Sequence, residues 1–136
     1  MEIVTLANAP FYIAPNHEGV TSRRLQGGDA SSADFAWVAH SQFPPGVVVP
    51  LDAGAIGKIY VVIEGSLTIV QADGIRHRLH QWDSIFIAAG EARSIVNDSG
   101  EAAAIIVVTP PPAKIARVRA AVPTNSAMHS GRLRRE

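Results

Sequence analysis

Between residues 32 and 109 the chain alternates short β-branched runs with turn residues: GVVV, KIYVVIEG, SLTIV, DSIFIA, RSIVN and AAIIVV. Each reads as a strand, because β-branched and aromatic side chains fit a pleated, half-buried surface. No window carries sustained helical spacing. Asp73-Gly74, between SLTIV and IRHRLH, predicts a hairpin with a two-residue loop. Pro44-Pro45-Gly46, Glu64-Gly65 and Asp98-Ser99-Gly100 punctuate the other connections. Strands recurring about every 8 to 12 residues predict a small antiparallel sandwich or barrel. The period of two puts Tyr60 and Val62 on the face of Lys58, Ile95 on that of Arg93, and Ser84 with Phe86. In DFAWVAHSQF it puts His40 and Gln42 on one face and Trp37, Ala39, Ser41 and Phe43 on the other; parity alone does not choose the inward one.

Pro110, Pro111 and Pro112 end the strand-rich region, since three prolines in a row continue neither a ladder nor a helix interior. Beyond them AKIARVRAAV predicts a short helix ended by Pro123, and TNSAMHSGRLRRE a disordered stretch. The organisation expected is an N-terminal strand and loop segment over 1–31 packed on a barrel over 32–112, with a basic extension over 113–136.

Composition narrows the functional classes. In 136 residues, 47% are hydrophobic and 18% charged, the make-up of one globular domain. Twelve basic residues balance twelve acidic ones, which argues against nucleic acid as a partner. The balance is uneven along the chain: from residue 113 six basic residues face one acid, leaving six against eleven in the body. Absence of cysteine removes disulfides, thiolate metal sites and thiol nucleophiles. MEIVTLANAPFYIAP lacks the basic and apolar regions of a secretory signal, and no run approaches the roughly 18 apolar residues of a membrane span. A cytoplasmic protein without a membrane partner is expected.

Two spaced patterns then resemble the paired motifs of the cupins. Gly46 leads through five residues to Asp52, then Gly54, then after three more Lys58, and after six more Gly65. This follows the first cupin motif, with Asp52 and Gly54 at its two His positions and Lys58 at its Glu. Trp82, Ala88, Gly90, Arg93 and Asn97 follow the second, with Trp82 at its first Gly, Ala88 at its Pro and Arg93 at its His. The resemblance implies an all-β fold, a cupin-type jelly roll (double-stranded β-helix) with a short helical or disordered C-terminal extension, commonly a homodimer. In metal-binding cupins those His and Glu residues hold a divalent ion. Here all four are replaced, and a lysine and an arginine repel such an ion, so neither the usual metal nor another cofactor is expected.

On the fold so implied, Lys58, Arg93 and Asp52 face the lumen. A guanidinium forks onto a carboxylate or phosphate, and an ammonium beside it is pushed toward the free amine by like charge and burial. Lys58 is then a base or amine nucleophile, and the reactions suited are decarboxylation, lyase chemistry or isomerisation of a small organic acid. The candidate catalytic set is Lys58, Asp52, Arg93 and Tyr60; the candidate binding set is Arg93, Lys58, Phe86, His40 and Gln42; the expected partner is a small anionic organic molecule. Two other readings stand beside this one. Asp52, Lys58 and Arg93 can form a buried salt-bridge plug in a non-catalytic accessory protein, or Asp52 and His40 can form a rearranged metal site. Tyr60, Phe86 and Ile95 also read as apolar packing. His77 and His80, three apart on a strand, fall on opposite faces and form no metal pair.

Overall fold

The computed structural model describes residues 1–112, so the basic extension, with its expected helix and disordered stretch, lies outside the described residues. Ten strands follow in order: β1 (Phe11–Tyr12), β2 (Thr21–Gln26), β3 (Trp37–Phe43), β4 (Val48–Ala53), β5 (Lys58–Glu64), β6 (Leu67–Gln71), β7 (Arg76–Leu79), β8 (Ser84–Ile87), β9 (Ala92–Val96) and β10 (Ala103–Thr109). They form a six-stranded sheet, β1-β2-β3-β10-β5-β8, facing a four-stranded one, β4-β9-β6-β7. All pairings are antiparallel. This is the jelly roll expected from the resemblance. Every β-branched run quoted above becomes a strand, and no helix among the described residues is long and apolar enough to cross a membrane.

Alternation builds the core. Phe43, Tyr60, Val62, Ile87, Ala103 and Ile105 point inward from the larger sheet and meet Val49, Leu67, Ile69 and Ile95 from the smaller. Asn97, fully buried just after β9, fastens the end of the sandwich: its Nδ2 donates to the Phe43 and Glu101 carbonyls at 2.8 and 2.7 Å, and its Oδ1 accepts from Ser99. Pro50 sits where β4, an edge strand, slips register against β9, the position in a sheet that tolerates a residue without an N–H. That slip sets Asp52 opposite Arg93.

The turns obey backbone sterics with two adjustments. Between β6 and β7 the turn closed by the Gln71–Ile75 bond holds three residues, Ala72-Asp73-Gly74, rather than two: Gly74 N–H bonds the Gln71 carbonyl, Gln71 N–H bonds the Ile75 carbonyl, and Gly74 has φ +89°. This is the turn-plus-bulge that a left-handed glycine permits. Trp82, at the family's glycine position, keeps the glycine conformation with φ +72°, while its indole stays exposed.

Cation–π stacking joins the N-terminal segment to the larger sheet. Arg23 lies 3.9 Å from the Phe11 ring, and Arg24 sits between Tyr12 and Trp37 at 4.1 and 4.3 Å. Arg23 also donates to the Leu6 and Ala7 carbonyls. The loop after β1 is thereby carried across one end of the sandwich.

Candidate functional site

Between the sheets, at the end crossed by that loop, lies a cavity of about 160 Å³. Its polar lining comes from both sheets and from the loop: Lys58 and Tyr60 of β5, Arg93 of β9, Ser22 of β2, Ser41 of β3, Tyr12 and His17. Phe43, Ile95, Ile105 and Val107 form its apolar floor.

Arg93 dominates the electrostatics. Only 6% exposed, it directs Nε and Nη2 to the Tyr60 hydroxyl at 3.1 and 3.0 Å, while Nη1 has no partner. No carboxylate pairs with it: the ion pairs among the described residues are Arg76–Asp98, Arg78–Asp98 and His80–Asp83, all at the surface. A buried cation with an unsatisfied N–H is costly, and an arriving anion offsets that cost. Tyr60 spends its oxygen lone pairs on Arg93, which leaves its O–H free to donate. Burial raises the phenol's pKa above 10.0, outweighing the lowering by Arg93, so it stays protonated at neutral pH.

Lys58 is the second cation. Burial, then Arg93, lowers its pKa from 10.5, while Asp52 opposes the change. A Cβ built on Gly54 falls 2.5 Å from Lys58 Nζ, so the lysine ends in the space a side chain at position 54 would take. The family's second His position is thus cleared for the amine that arrives from its Glu position. Asp52 stands opposite Arg93 in register but is exposed and within ion-pair distance of neither cation. The salt-bridge plug is therefore not formed: the acid is exposed and paired with neither cation, while both cations line the cavity.

Three expected binding residues lie elsewhere. His40 and Gln42 face outward, because the other face of β3 carries Ala39, Ser41 and Phe43 into the sandwich. His40 lies in the fields of Glu64 and Arg23, and burial lowers its pKa from 6.5. It does not converge with Asp52, and the rearranged metal site fails with it. Phe86 is 67% exposed because β8 turns Ile85 and Ile87 inward, not Ser84 and Phe86. It lines an apolar groove on the outer face with Phe35, Ile59 and Val108.

Sequence reasoning missed Tyr12, His17, Ser22 and Ser41. Ser22 and Ser41 are buried and share a 2.8 Å hydrogen bond across β2 and β3. The apolar company of Trp37, Ala39 and Phe43 on its face was a usable signal for Ser41; His17 and Tyr12 gave none. His17 Nδ1 lies 2.7 Å from the Pro15 carbonyl. Burial is the first cause lowering its pKa from 6.5; the Pro15 bond opposes it, and Arg93 and Lys58 lower it further.

The donor set does not fit the divalent ion of metal-binding cupins. The four family positions hold one rim carboxylate, one glycine and two cationic side chains, and the charge that would repel the ion is built into the lumen.

No family model matches the chain. A protein of Mycobacterium tuberculosis strain H37Rv, named β-D-galactosidase Rv1717, is 36% identical over 117 residues, covering 85% of this chain and all of that one. Among solved structures, the polyketide cyclase RemF of Streptomyces resistomycificus superposes with a TM-score of 0.72 at 25% identity, over 81% of this chain and 79% of that one. A cupin 2 conserved barrel domain protein of Salinispora arenicola superposes with a TM-score of 0.68 at 23% identity, over 86% and 94%. Two facing antiparallel sheets, both motif spacings in place and these likenesses lead to one conclusion: the chain belongs to the cupin superfamily.

Proposed function

We propose that the lumen binds a small organic anion, a carboxylate or 2-oxo acid, and acts on it as a lyase, decarboxylase or isomerase without the metal of metal-binding cupins. The observation that carries this is Arg93: a guanidinium of the cavity lining that is buried, unpaired by any carboxylate and left with one nitrogen unsatisfied. In this reading Nη1 takes a carboxylate oxygen. Lys58 adds a second donor, Tyr60 holds Arg93 in place and offers its O–H, and Asp52 at the rim moderates the charge of Lys58. The names of the cyclase and the galactosidase relatives favour catalysis over simple storage.

The test is calorimetric titration and thermal shift with acetate, pyruvate and 2-oxobutyrate. Binding and a raised melting temperature are expected in the wild type, and loss of both in Arg93→Gln and Lys58→Met. A wild type unmoved by all three overturns the anion site; binding without turnover of the oxo acids favours the accessory reading over the enzyme.

A second reading rests on the galactosidase name of the relative aligned over its whole length. Glycoside hydrolysis ordinarily uses two carboxylates flanking the bond, whereas the cavity lining contains none and Asp52 alone stands at its rim. Hydrolysis of o-nitrophenyl β-D-galactoside, lost in Asp52→Asn, would support this reading; no hydrolysis would remove it.

The homodimer is part of the same proposal. Phe35, Ile59 and Phe86 expose a contiguous apolar patch on the larger sheet, of the kind that two-fold pairing covers. Sedimentation velocity should give a dimer that Phe86→Glu dissociates, and a wild-type monomer at every concentration tested would overturn it.

A further inference from the structure

We infer that His17 is the proton-transferring residue of the lumen, held by the N-terminal loop so that Nδ1 donates to the Pro15 carbonyl and Nε2 is left as the free base. The inference rests on the anion site proposed above and supplies the base that its chemistry requires.

The loop fixes the residue through its backbone as well as its ring. Asn16 adopts φ +61° and Gly19 φ +83°, two left-handed positions that fold the segment back on itself. Between them His17 N–H bonds the Ala14 carbonyl at 3.2 Å, and the His17 carbonyl accepts from Val20 N–H at 3.1 Å. With the backbone tied on both sides, the ring lines the cavity. A carbonyl only accepts hydrogen bonds, so the nitrogen 2.7 Å from Pro15 O carries the proton. Nε2 has no partner among the described residues. Imidazole fixed in one tautomer by a bond to its other nitrogen is the arrangement that delivers a directed base.

Burial first, and then the cations beside the ring, favour the free base. Burial opposes protonation most strongly, and Arg93 from β9 and Lys58 from β5 oppose it too; the Pro15 bond is the second-largest influence and favours it, as does Asp52 from β4, the last of the causes. Tyr12 from β1 and Tyr60 from β5 also line the cavity. A bound anion neutralises part of the Arg93 and Lys58 field, so His17 becomes more basic when substrate is present. The base is thus strengthened by the molecule it acts on.

With the carboxylate on Arg93, Nε2 removes a proton from the carbon next to the substrate carbonyl. The C–H bond breaks, the N–H bond forms, and the electron pair moves to the carbonyl oxygen as an enolate held by Lys58 and the Tyr60 O–H. The imidazolium returns its proton to carbon or to the enolate oxygen. The sum is a redox-neutral isomerisation that needs no cofactor or co-reactant, and the residue class is new to this site: the N-terminal loop lies outside both cupin motifs.

Two measurements on the full chain test this. Long-range ¹H–¹⁵N spectra of protein labelled at histidine, with His17→Asn for assignment, should show His17 protonated at Nδ1 at pH 7; an Nε2–H tautomer or an imidazolium overturns the inference. In D₂O, wild-type protein should exchange the methyl protons of pyruvate, and His17→Asn should slow this by about 100-fold or more, the usual worth of a positioned base. Asparagine keeps a donor for Pro15, so calorimetric affinity for pyruvate should stay within about twofold. Wild-type exchange rates in His17→Asn overturn the base while leaving the anion site intact. Absence of pyruvate binding in the wild type, read by calorimetry, instead overturns the anion site and the base with it.

Discussion

Replacing Arg93 by methionine should stabilise the ligand-free protein and remove its response to carboxylates. The guanidinium is 6% exposed, bonds only Tyr60 and leaves Nη1 unsatisfied. Breaking a buried ion pair leaves a lone charge at a cost of about 3 to 5 kcal/mol, and Arg93 stands in that condition natively. Against its removal stand the lost bonds to Tyr60, whose oxygen gives up two donors; a buried acceptor left unsatisfied costs about 1 to 3 kcal/mol. Methionine fills similar length with an adaptable thioether. The balance favours the variant by about 2 kcal/mol. For a domain of this size that is a rise of roughly 6 to 10 °C in melting temperature. Saturating carboxylate should reverse the order, since ligand at 100 times its Kd stabilises wild type by about 2.7 kcal/mol and the variant not at all. Urea melts with and without acetate measure both. If Arg93→Met is destabilised by 2 kcal/mol or more without ligand, the arginine is a structural strut and the case for an anion site loses its main support.

Three further outcomes follow from single positions. Gly54→Ala places a Cβ 2.5 Å from Lys58 Nζ on a backbone that needs no left-handed φ, so the amine must move; carboxylate affinity should fall about tenfold, the worth of one charge-assisted hydrogen bond, with stability almost unchanged. Retained affinity in calorimetry would show that Lys58 does not hold the ligand. Trp82→Gly relieves a left-handed φ while giving up an exposed indole, and should raise stability in urea by about 1 kcal/mol; a loss of that size would mean the indole packs against something. Lys58, its pKa lowered from 10.5 by burial first and Arg93 second, binds fewer protons folded than unfolded between its lowered value and 10.5. Ligand-free stability should therefore rise with pH through that window, and an unchanged slope in Lys58→Met melts across pH would refute the assignment.

The frame was legible because strand alternation and turn chemistry are local. KIYVVIEG and RSIVN carry their alternating faces in a period of two, and the resemblance carried by the spacings from Gly46 to Gly65 and from Trp82 to Asn97 implies a lumen position for Lys58 and Arg93. What failed depended on which face turns inward or on distant contacts. Phe86 belongs to the expected binding set, yet in SIFI the two isoleucines turn toward the core and the phenylalanine is left outside. His40 shares its strand with a better apolar face, and burial of Phe43 decides the direction for all seven residues. Motif alignment groups Asp52 with the cations, and the register does set it opposite Arg93, yet its side chain is exposed and pairs with neither. His17 reaches the site through two left-handed residues and a loop crossing, and no periodic signal encodes that path.

The replacement of the family's ligands preserves one property of the lumen and abolishes another. A divalent ion held by three neutral imidazoles and one glutamate presents a net charge near +1 to whatever enters. Protonated Lys58 and Arg93 with Asp52 at the rim sum to the same value. On the proposed reading, the attraction for an anion carries over from the metal-binding design. The vacant coordination position and the acidified water that a metal supplies do not, because a guanidinium already committed to Tyr60 has only hydrogen bonds to offer. Chemistry in such a lumen must move protons through organic groups of suitable basicity. Tyr60 is held in its acid form by burial, and burial, joined by Arg93 and Lys58, favours the free base of His17 against the opposing Pro15 bond. Acid and base therefore follow from one environment: burial raises the proton affinity of the phenol and lowers that of the imidazole beside it, while Arg93 lowers both.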